Sequence, residues 1–237
     1  VYCGMYSRGN QDIVSREWLR RNVLKGHGPL GDVYPLDAAG KKGVKEGDTP
    51  SFLYVLPNGL SDPEAPDWGS WGGRFQYAGP GWEYRAAVDT WKDARSPRAT
   101  VFRWRRAYQN AFEARMDWCV QPPDRANHAP VAVCSGERGV RIIKRDVQPG
   151  QTVELSAVGS SDPDGDAVSV RWWFYEEPST YTGDVAIRNA RRKRAELVVP
   201  EKAAGQSIHI ILEVTDDGDP PLTSYRRVIL RCRSTDD

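Results

Sequence analysis

The 237-residue sequence predicts a two-part chain: a helix-bearing first part over residues 1–126 and an all-β second part over 127–237. Three observations carry that division. Seven of the nine Trp (positions 18, 68, 71, 82, 91, 104 and 118) precede residue 126. The segment 121–130, QPPDRANHAP, is rich in proline and polar residues and reads as a linker. Beyond it the hydrophobic period changes from helical spacing to strict alternation.

Composition narrows the function classes. Lys+Arg total 33 against 32 Asp+Glu, a net charge of +1, which argues against a dominant electrostatic footprint for nucleic acid. Hydrophobic residues make up 39% and charged residues 27%, enough for a packed core. No uncharged apolar run approaches the roughly 18 residues of a spanning helix, so no membrane span is expected. The chain opens on Val1, with no basic segment leading into an apolar run, and reads as processed or truncated. Cys3, Cys119, Cys134 and Cys232 are too dispersed for zinc spacings. The most natural pairing joins Cys3 to Cys119 and Cys134 to Cys232, and four buried thiols are the alternative.

In the first part, residues 15–25 place Trp18, Leu19, Val23 and Leu24 at helical spacing. Ser15 stands as N-cap, and Gly26, Gly28 and Pro29 stop the helix. Asp48-Thr49-Pro50 opens a short helix over 51–56, which Pro57-Asn58-Gly59 ends. A third helix is expected over 105–120, with Tyr108, Phe112, Arg115, Met116 and Cys119 on one face. Between the last two lies 61–100, rich in Gly, Pro and Trp. A structureless loop of that length is improbable in a compact domain unless it is functional.

In the second part, residues 152–158, 168–175, 195–199, 207–214 and 224–232 alternate. Turn sequences separate them: Pro149-Gly150, DPDGD at 162–166, Ala204-Gly205 and DDGDPP at 216–221. Short strands at this spacing predict an immunoglobulin-type β-sandwich, with Trp172 or Trp173 buried on the third main strand. Cys134 and Cys232 then fall near the first and last strands.

Several constellations carry candidate chemistry. Asp162, Asp164 and Asp166 sit in one loop and Asp216, Asp217 and Asp219 in another; in a sandwich both loops leave the same end. Converging carboxylates suit Ca²⁺, which makes Ca²⁺ the candidate cofactor, while ordinary turn chemistry is the alternative. GSWGGRF at 69–75, preceded by Trp68, combines glycines that permit close approach, the flat rings of Trp68 and Trp71, and the fork of Arg74. That set suits a sugar or nucleoside ring; a bent loop burying its Trp is the alternative. Asp48, at a helix start, is a candidate metal or substrate ligand or simply a cap. His27 lies between glycines in GHGPLG and is a candidate acid or base, or a turn residue. The basic runs at 103–106 and 191–194 are candidates to touch nucleic acid, but with three or four charges each and no net excess they read as solvated faces.

Taken together, GHGPLG, EGDTPSFL, GSWGGRF, FRWRRAYQNAFEARMDWCV, ANHAPV, SSDPDGDAVSVRWWFY and IHIILEVTDDGDPPLTSYRRVIL resemble one family. It is that of bacterial cellulose-binding proteins with a nucleoside-hydrolase-like domain followed by an immunoglobulin-like, PKD-type C-terminal domain. The resemblance implies an α/β plus all-β architecture, with part of a Rossmann-like domain over 1–126 and the sandwich over 127–237. It implies a polysaccharide or glycoside as partner, with Trp68, Trp71, Arg74, Trp104 and His27 as ligand contacts, and a secreted or periplasmic location. Relatives with hydrolase activity hold Ca²⁺ on an aspartate motif after their first strand and on a later aspartate, for which Asp48 is the positional candidate. Such relatives carry His immediately before that aspartate. Gly47 stands there in this chain, and His27 is the substitute considered. The resemblance places Val1 past the middle of the α/β domain, so the expectation is a carbohydrate-binding C-terminal fragment lacking the N-terminal metal-binding half. The alternatives are a parent that is a Ca²⁺-dependent glycoside or nucleoside hydrolase, and a structural or docking module.

Overall fold

The computed structural model describes residues 12–35, 49–81 and 83–234. They form a mixed helix-and-strand chain that divides into two compact units. One comprises Val1–Leu56, Pro63–His128 and Gly218–Leu222; the other comprises Pro57–Asp62, Ala129–Asp217 and Thr223–Asp237. The units interleave in sequence, because two short segments pack away from their chain neighbours. Among the described residues no helix is long and apolar enough to cross a membrane.

The first unit opens with α1 (Arg16–Leu19), which continues as a π-type turn over Arg20–Leu24. Ser15 caps it: its hydroxyl oxygen accepts from Trp18 N at 3.1 Å and donates to Asp12 O at 2.7 Å. Trp18, Leu19 and Val23 pack with Ile13, Val14 and Met116 into one cluster. Gly26 (φ +84°) then turns the chain into α2 (Gly28–Val33). Helix α3 (Thr49–Val55) carries Pro50 in its first turn, where a missing N–H costs no helical bond. The 61–100 stretch is not a single loop. It forms two antiparallel hairpins, β1 (Phe75–Gly79) with β2 (Glu83–Ala86), and β3 (Asp89–Trp91) with β4 (Ala94–Ser96). Helices α4 (Ala99–Phe102) and α5 (Arg105–Asp117) follow, the latter three residues shorter than the pattern suggests. The proline-rich segment after α5 folds onto this unit. Ala126 is buried, Trp118 Nε1 donates to Asn127 O at 2.8 Å, and Asn127 Nδ2 donates to Pro220 O at 2.8 Å.

In the second unit, β5 (Ile143–Val147), β7 (Ser169–Phe174), β10 (Ser207–Thr215) and β11 (Thr223–Cys232) form a sheet of order β5-β11-β10-β7. Strands β6 (Thr152–Ser156), β8 (Ile187–Arg188) and β9 (Arg194–Val198) form a second, of order β6-β9-β8. Only β5 runs parallel to its neighbour β11. One core draws on both sheets, with Leu155 and Leu197 from one and Trp172, Ile210, Leu212 and Leu230 from the other. Trp172 is the buried Trp of the third main strand. Strands β10 and β11 are buried on both faces: Leu212 and Leu230 face the shared core, and His209, Ile211 and Arg227 are buried on the opposite side. The 57–62 segment lies against that opposite side. Leu60 O accepts from Arg227 Nε at 2.9 Å, and a Cβ on Gly59 (φ +87°) would lie 2.1 Å from Tyr225 O.

The expected bridge between Cys134 and Cys232 is not formed. Both are buried free thiols in the shared core, and burial raises both above the ordinary thiol range. Cys119 is an exposed free thiol; Cys3 lies outside the described residues.

Candidate functional site

The GSWGGRF loop folds as a tight turn. Ser70 N donates to Gly73 O at 3.0 Å and Gly73 N to Ser70 O at 2.9 Å, leaving Trp71 and Gly72 at the tip. That tip is pressed against α3: a Cβ on Gly72 would lie 2.1 Å from Pro50 O and 2.5 Å from Tyr54 N. The close approach anticipated for a ligand is therefore made by the α3 backbone. Trp71 is only 6% exposed and meets Tyr108 edge-on at 6.5 Å. Its ring is mostly part of the core rather than an open stacking platform.

Arg74 is likewise engaged internally. It is 4% exposed, donates from Nε to Asp89 Oδ1 at 2.8 Å and from Nη2 to Val88 O at 2.9 Å. Arg103 Nη1 donates to Asp89 Oδ2 at 2.6 Å. Asp89 is fully buried and holds both guanidinium groups, tying the first loop, β3 and the α4–α5 junction together. Trp104, expected as a ligand contact, is buried beside this triad, with the Arg103 guanidinium 5.7 Å from its ring centroid. His27 is also buried, and its Nε2 lies 2.9 Å from Asp117 Oδ1. Of the five expected contacts only Trp68 is half-exposed. The common reason is that planar aromatic and guanidinium groups serve a core equally well when glycines let backbones close around them.

What the unit leaves open is a pocket of about 240 Å³. Phe52 and Leu53 of α3 line one side, Tyr108, Phe112 and Arg115 of α5 another, and Trp71 also lines it. Spacing at 108, 112 and 115 puts the three α5 side chains on one face, as read from the sequence. Phe52 is 62% exposed at the pocket. Arg115 donates from Nη1 to Ala111 O at 2.8 Å and lies over the Trp118 ring at 5.4 Å. Thr49 and Gln109 complete the polar lining, with Gln109 Nε2 fixed on Ile13 O at 2.8 Å. An aromatic box with a few oriented polar groups can take a flat, hydroxyl-bearing ring. Asp48, one residue before α3, lies outside the described residues.

In the second unit the two acidic loops do meet. Ala167 N donates to Asp217 Oδ1 at 2.7 Å. Carboxylate oxygens of Asp162, Asp164 and Asp166 lie within 4.8 Å of one another. Asp162 Oδ1 accepts the amides of Asp164 (2.8 Å) and Asp166 (3.4 Å), which is turn chemistry in its own right. Desolvation first, then the charges of Asp162, Asp217 and Asp164, raise the pKa of Asp166. Asp216 is buried, in contrast to its exposed neighbour Asp217. The set of oxygens suits a hard cation.

Two family models match the chain. Residues 2–75 match the "Cellulose-binding Sde182, nucleoside hydrolase-like domain", and residues 152–232 match the "Cellulose-binding protein Sde0182, C-terminal domain". Among solved structures, a nucleoside hydrolase-related hypothetical protein from Saccharophagus degradans, described as associated with carbohydrate metabolism, is 34% identical with a TM-score of 0.79. The alignment covers 97% of this chain and 56% of that one, so this chain spans little more than half of its relative's length. The PKD domain from the KIAA 1837 protein aligns at 21% identity over 39% of this chain and 83% of its own, with a TM-score of 0.28. Mouse cadherin-23 EC22-24 aligns at 17% identity over 45% of this chain and 33% of its own, with a TM-score of 0.32. Both scores are too low to bear on the fold. No curated protein matches.

Proposed function

We propose a carbohydrate-binding role for this chain, which belongs to the cellulose-binding family defined by a nucleoside hydrolase-like domain and its accompanying C-terminal domain. The observation that carries the reading is the 240 Å³ aromatic pocket between α3 and α5, in the unit that holds most of the nucleoside hydrolase-like match. Phe52, Trp71, Tyr108 and Phe112 supply apolar faces for a β-glucan ring, and Thr49 and Arg115 supply donors to its hydroxyls. In this reading the first unit belongs to a Rossmann-like α/β domain. The second is an immunoglobulin-like, PKD-type sandwich, a reading supported by its two sheets on one shared core.

Phe52→Ala and Arg115→Ala test the pocket, because both side chains are exposed and their truncation spares the core. Electrophoresis through gels containing soluble β-glucan, with a cellulose pull-down beside it, should show each variant binding roughly fivefold to tenfold more weakly than the parent. Unchanged retardation in both variants removes the pocket from the reading. Trp71→Ala does not discriminate, since it opens the core as well.

For the acidic loops we propose a Ca²⁺ site on Asp162, Asp164 and Asp166, with Asp217 beside them, supported by the oxygens of the first three lying within 4.8 Å of one another. Isothermal titration of Ca²⁺ should give a binding heat, and Ca²⁺ should raise the melting temperature. Absence of both removes the site.

A further inference from the structure

Strand β7 is an edge strand, with β10 on one side only. A groove of about 480 Å³ lies along the first half of β7, lined also by the 191–193 segment and by Glu213 and Thr215 of β10. Four cationic side chains line it, Arg171, Arg191, Arg192 and Lys193, against one carboxylate, Glu213. The segment is not a loose basic tail. Trp172, buried in the core, donates its amide to Ala190 O at 2.7 Å and its indole Nε1 to Arg192 O at 3.2 Å. Arg192 N donates back to Asn189 O at 2.8 Å, closing a turn in which Asn189 takes φ +54°. Beyond the turn, Ala157 N donates to Lys193 O at 2.7 Å. The backbone beneath the cations is therefore fixed on both sides.

Two of these cations have partners: Arg171 pairs with Glu213 at 3.5 Å, and Lys193 Nζ donates to Ser160 O at 3.3 Å. Glu196 and Glu154 are paired with Arg188 and Arg194 at 3.3 and 2.8 Å. No carboxylate among the described residues pairs with the exposed Arg191 and Arg192 side chains. The Val170 amide, two residues before Trp172 in the strand, is directed to the same side, away from β10, and Val170 lines the groove. Guanidinium forks carried on a fixed backbone, beside a backbone donor, are complementary to carboxylates spaced along a chain.

We propose that this groove is a second binding site, for an anionic polysaccharide bearing carboxylates, that is, a polyuronate. The site is independent of the aromatic pocket and does not rest on the neutral-glucan reading. A sugar polyanion fits better than nucleic acid, because the chain as a whole has a net charge of only +1 and no extended cationic field. An acidic peptide added to the β7 edge is the competing occupant.

The test is affinity electrophoresis and titration of the whole chain with polygalacturonate, with polyglutamate and a neutral β-glucan run alongside. R191E/R192E reverses the two unpaired cations. K202E/R138E, at exposed positions away from the groove, is the charge-matched control. Polygalacturonate should retard the parent and the control, and R191E/R192E should bind at least about tenfold more weakly while melting at the parent's temperature. R191Q/R192Q should fall between them and serves as the readout if the double reversal misfolds. Equal weakening in the control, or no weakening in the groove variants, overturns the proposal. Tighter binding of polyglutamate than of polygalacturonate reassigns the groove to a peptide and also overturns it.

Discussion

Glu113 offers a prediction whose sign and size follow from its surroundings. It sits half-buried on α5, one turn from Asp117 and near Asp219, with a side-chain hydrogen bond from Asn22 and the charge of Arg21 opposing them. Burial, then Asp117, then Asp219, raise its pKa from 4.5 to about 7. Between those values the native carboxyl holds a proton that the unfolded chain has released. Native protein then binds more protons than unfolded, and stability falls as pH rises through the window from about 4.5 to 7. Full conversion at about 1.36 kcal/mol per pKa unit overstates a half-exposed group, so screening by solvent leaves roughly 1–2 kcal/mol. At about 2–4 °C per kcal/mol for a chain of this size, the parent should lose roughly 2–8 °C from this source between pH 5 and pH 8. Glu113→Gln keeps the shape and the acceptor for Asn22 but removes the titration. Melting curves of both proteins at pH 5, 6, 7 and 8 should converge at the acid end, with the variant the more stable at pH 8. A variant whose pH dependence parallels the parent's, or one that is less stable at pH 8, refutes the argument.

His209 should act with the opposite sign. Burial and the Arg227 guanidinium, whose Nη1 lies 2.9 Å from Nδ1, lower its pKa to about 2, so stability is fully present above about pH 6.5 and is lost as pH falls toward the folded value; His209→Gln should flatten that acid slope in equilibrium denaturation. Asp89→Asn should cost about 3–5 kcal/mol in urea unfolding, because the Arg74 and Arg103 guanidinium groups lose the carboxylate they share. Gly59→Ala should destabilise by at least about 1–3 kcal/mol in the same assay, since its φ of +87° and the Tyr225 carbonyl 2.1 Å from the added carbon both oppose it.

The regular elements were legible where one physical rule dominated. Alternation placed β6, β7, β9, β10 and β11 within a residue or two, because each carries a run of side chains facing the shared core. The Ser15 cap and the Pro50 start were legible because capping is local chemistry. Strand β5 (Ile143–Val147) was not, since its five residues alternate between only two buried apolar ends and it is recruited by parallel pairing with β11, 85 residues away. The hairpins in 61–100 were hidden for a different reason. They are short, their strands are mostly exposed or half-buried, and no hydrophobic period marks them. Interleaving of the two units depends on single contacts such as Leu60 O with Arg227, which no local pattern encodes.

Composition signals the kind of contact a loop makes without naming its partner. Gly, Trp and Arg concentrated at 68–75 signal close approach and planar contact, and both occur. What a sequence does not specify is the other surface. Gly72 abuts the backbone of α3, Arg74 binds Asp89, and Trp71 meets Tyr108, so this loop's contacts are largely satisfied within the unit. The pocket's accessible atoms then come from helices whose sequences read as ordinary amphipathic segments, Phe52 on α3 and Phe112 and Arg115 on α5. A buried arginine needs acceptors for its N–H groups and a buried Trp needs apolar neighbours. The partner, fixed by tertiary structure, decides whether such a residue supports a site or forms one. The same distinction separates the two basic runs. In the first, Arg103 is half-buried on Asp89 and Arg105 is buried, which leaves Arg106 exposed; the second rests on a turn anchored by Trp172 and presents Arg191 and Arg192 together to solvent.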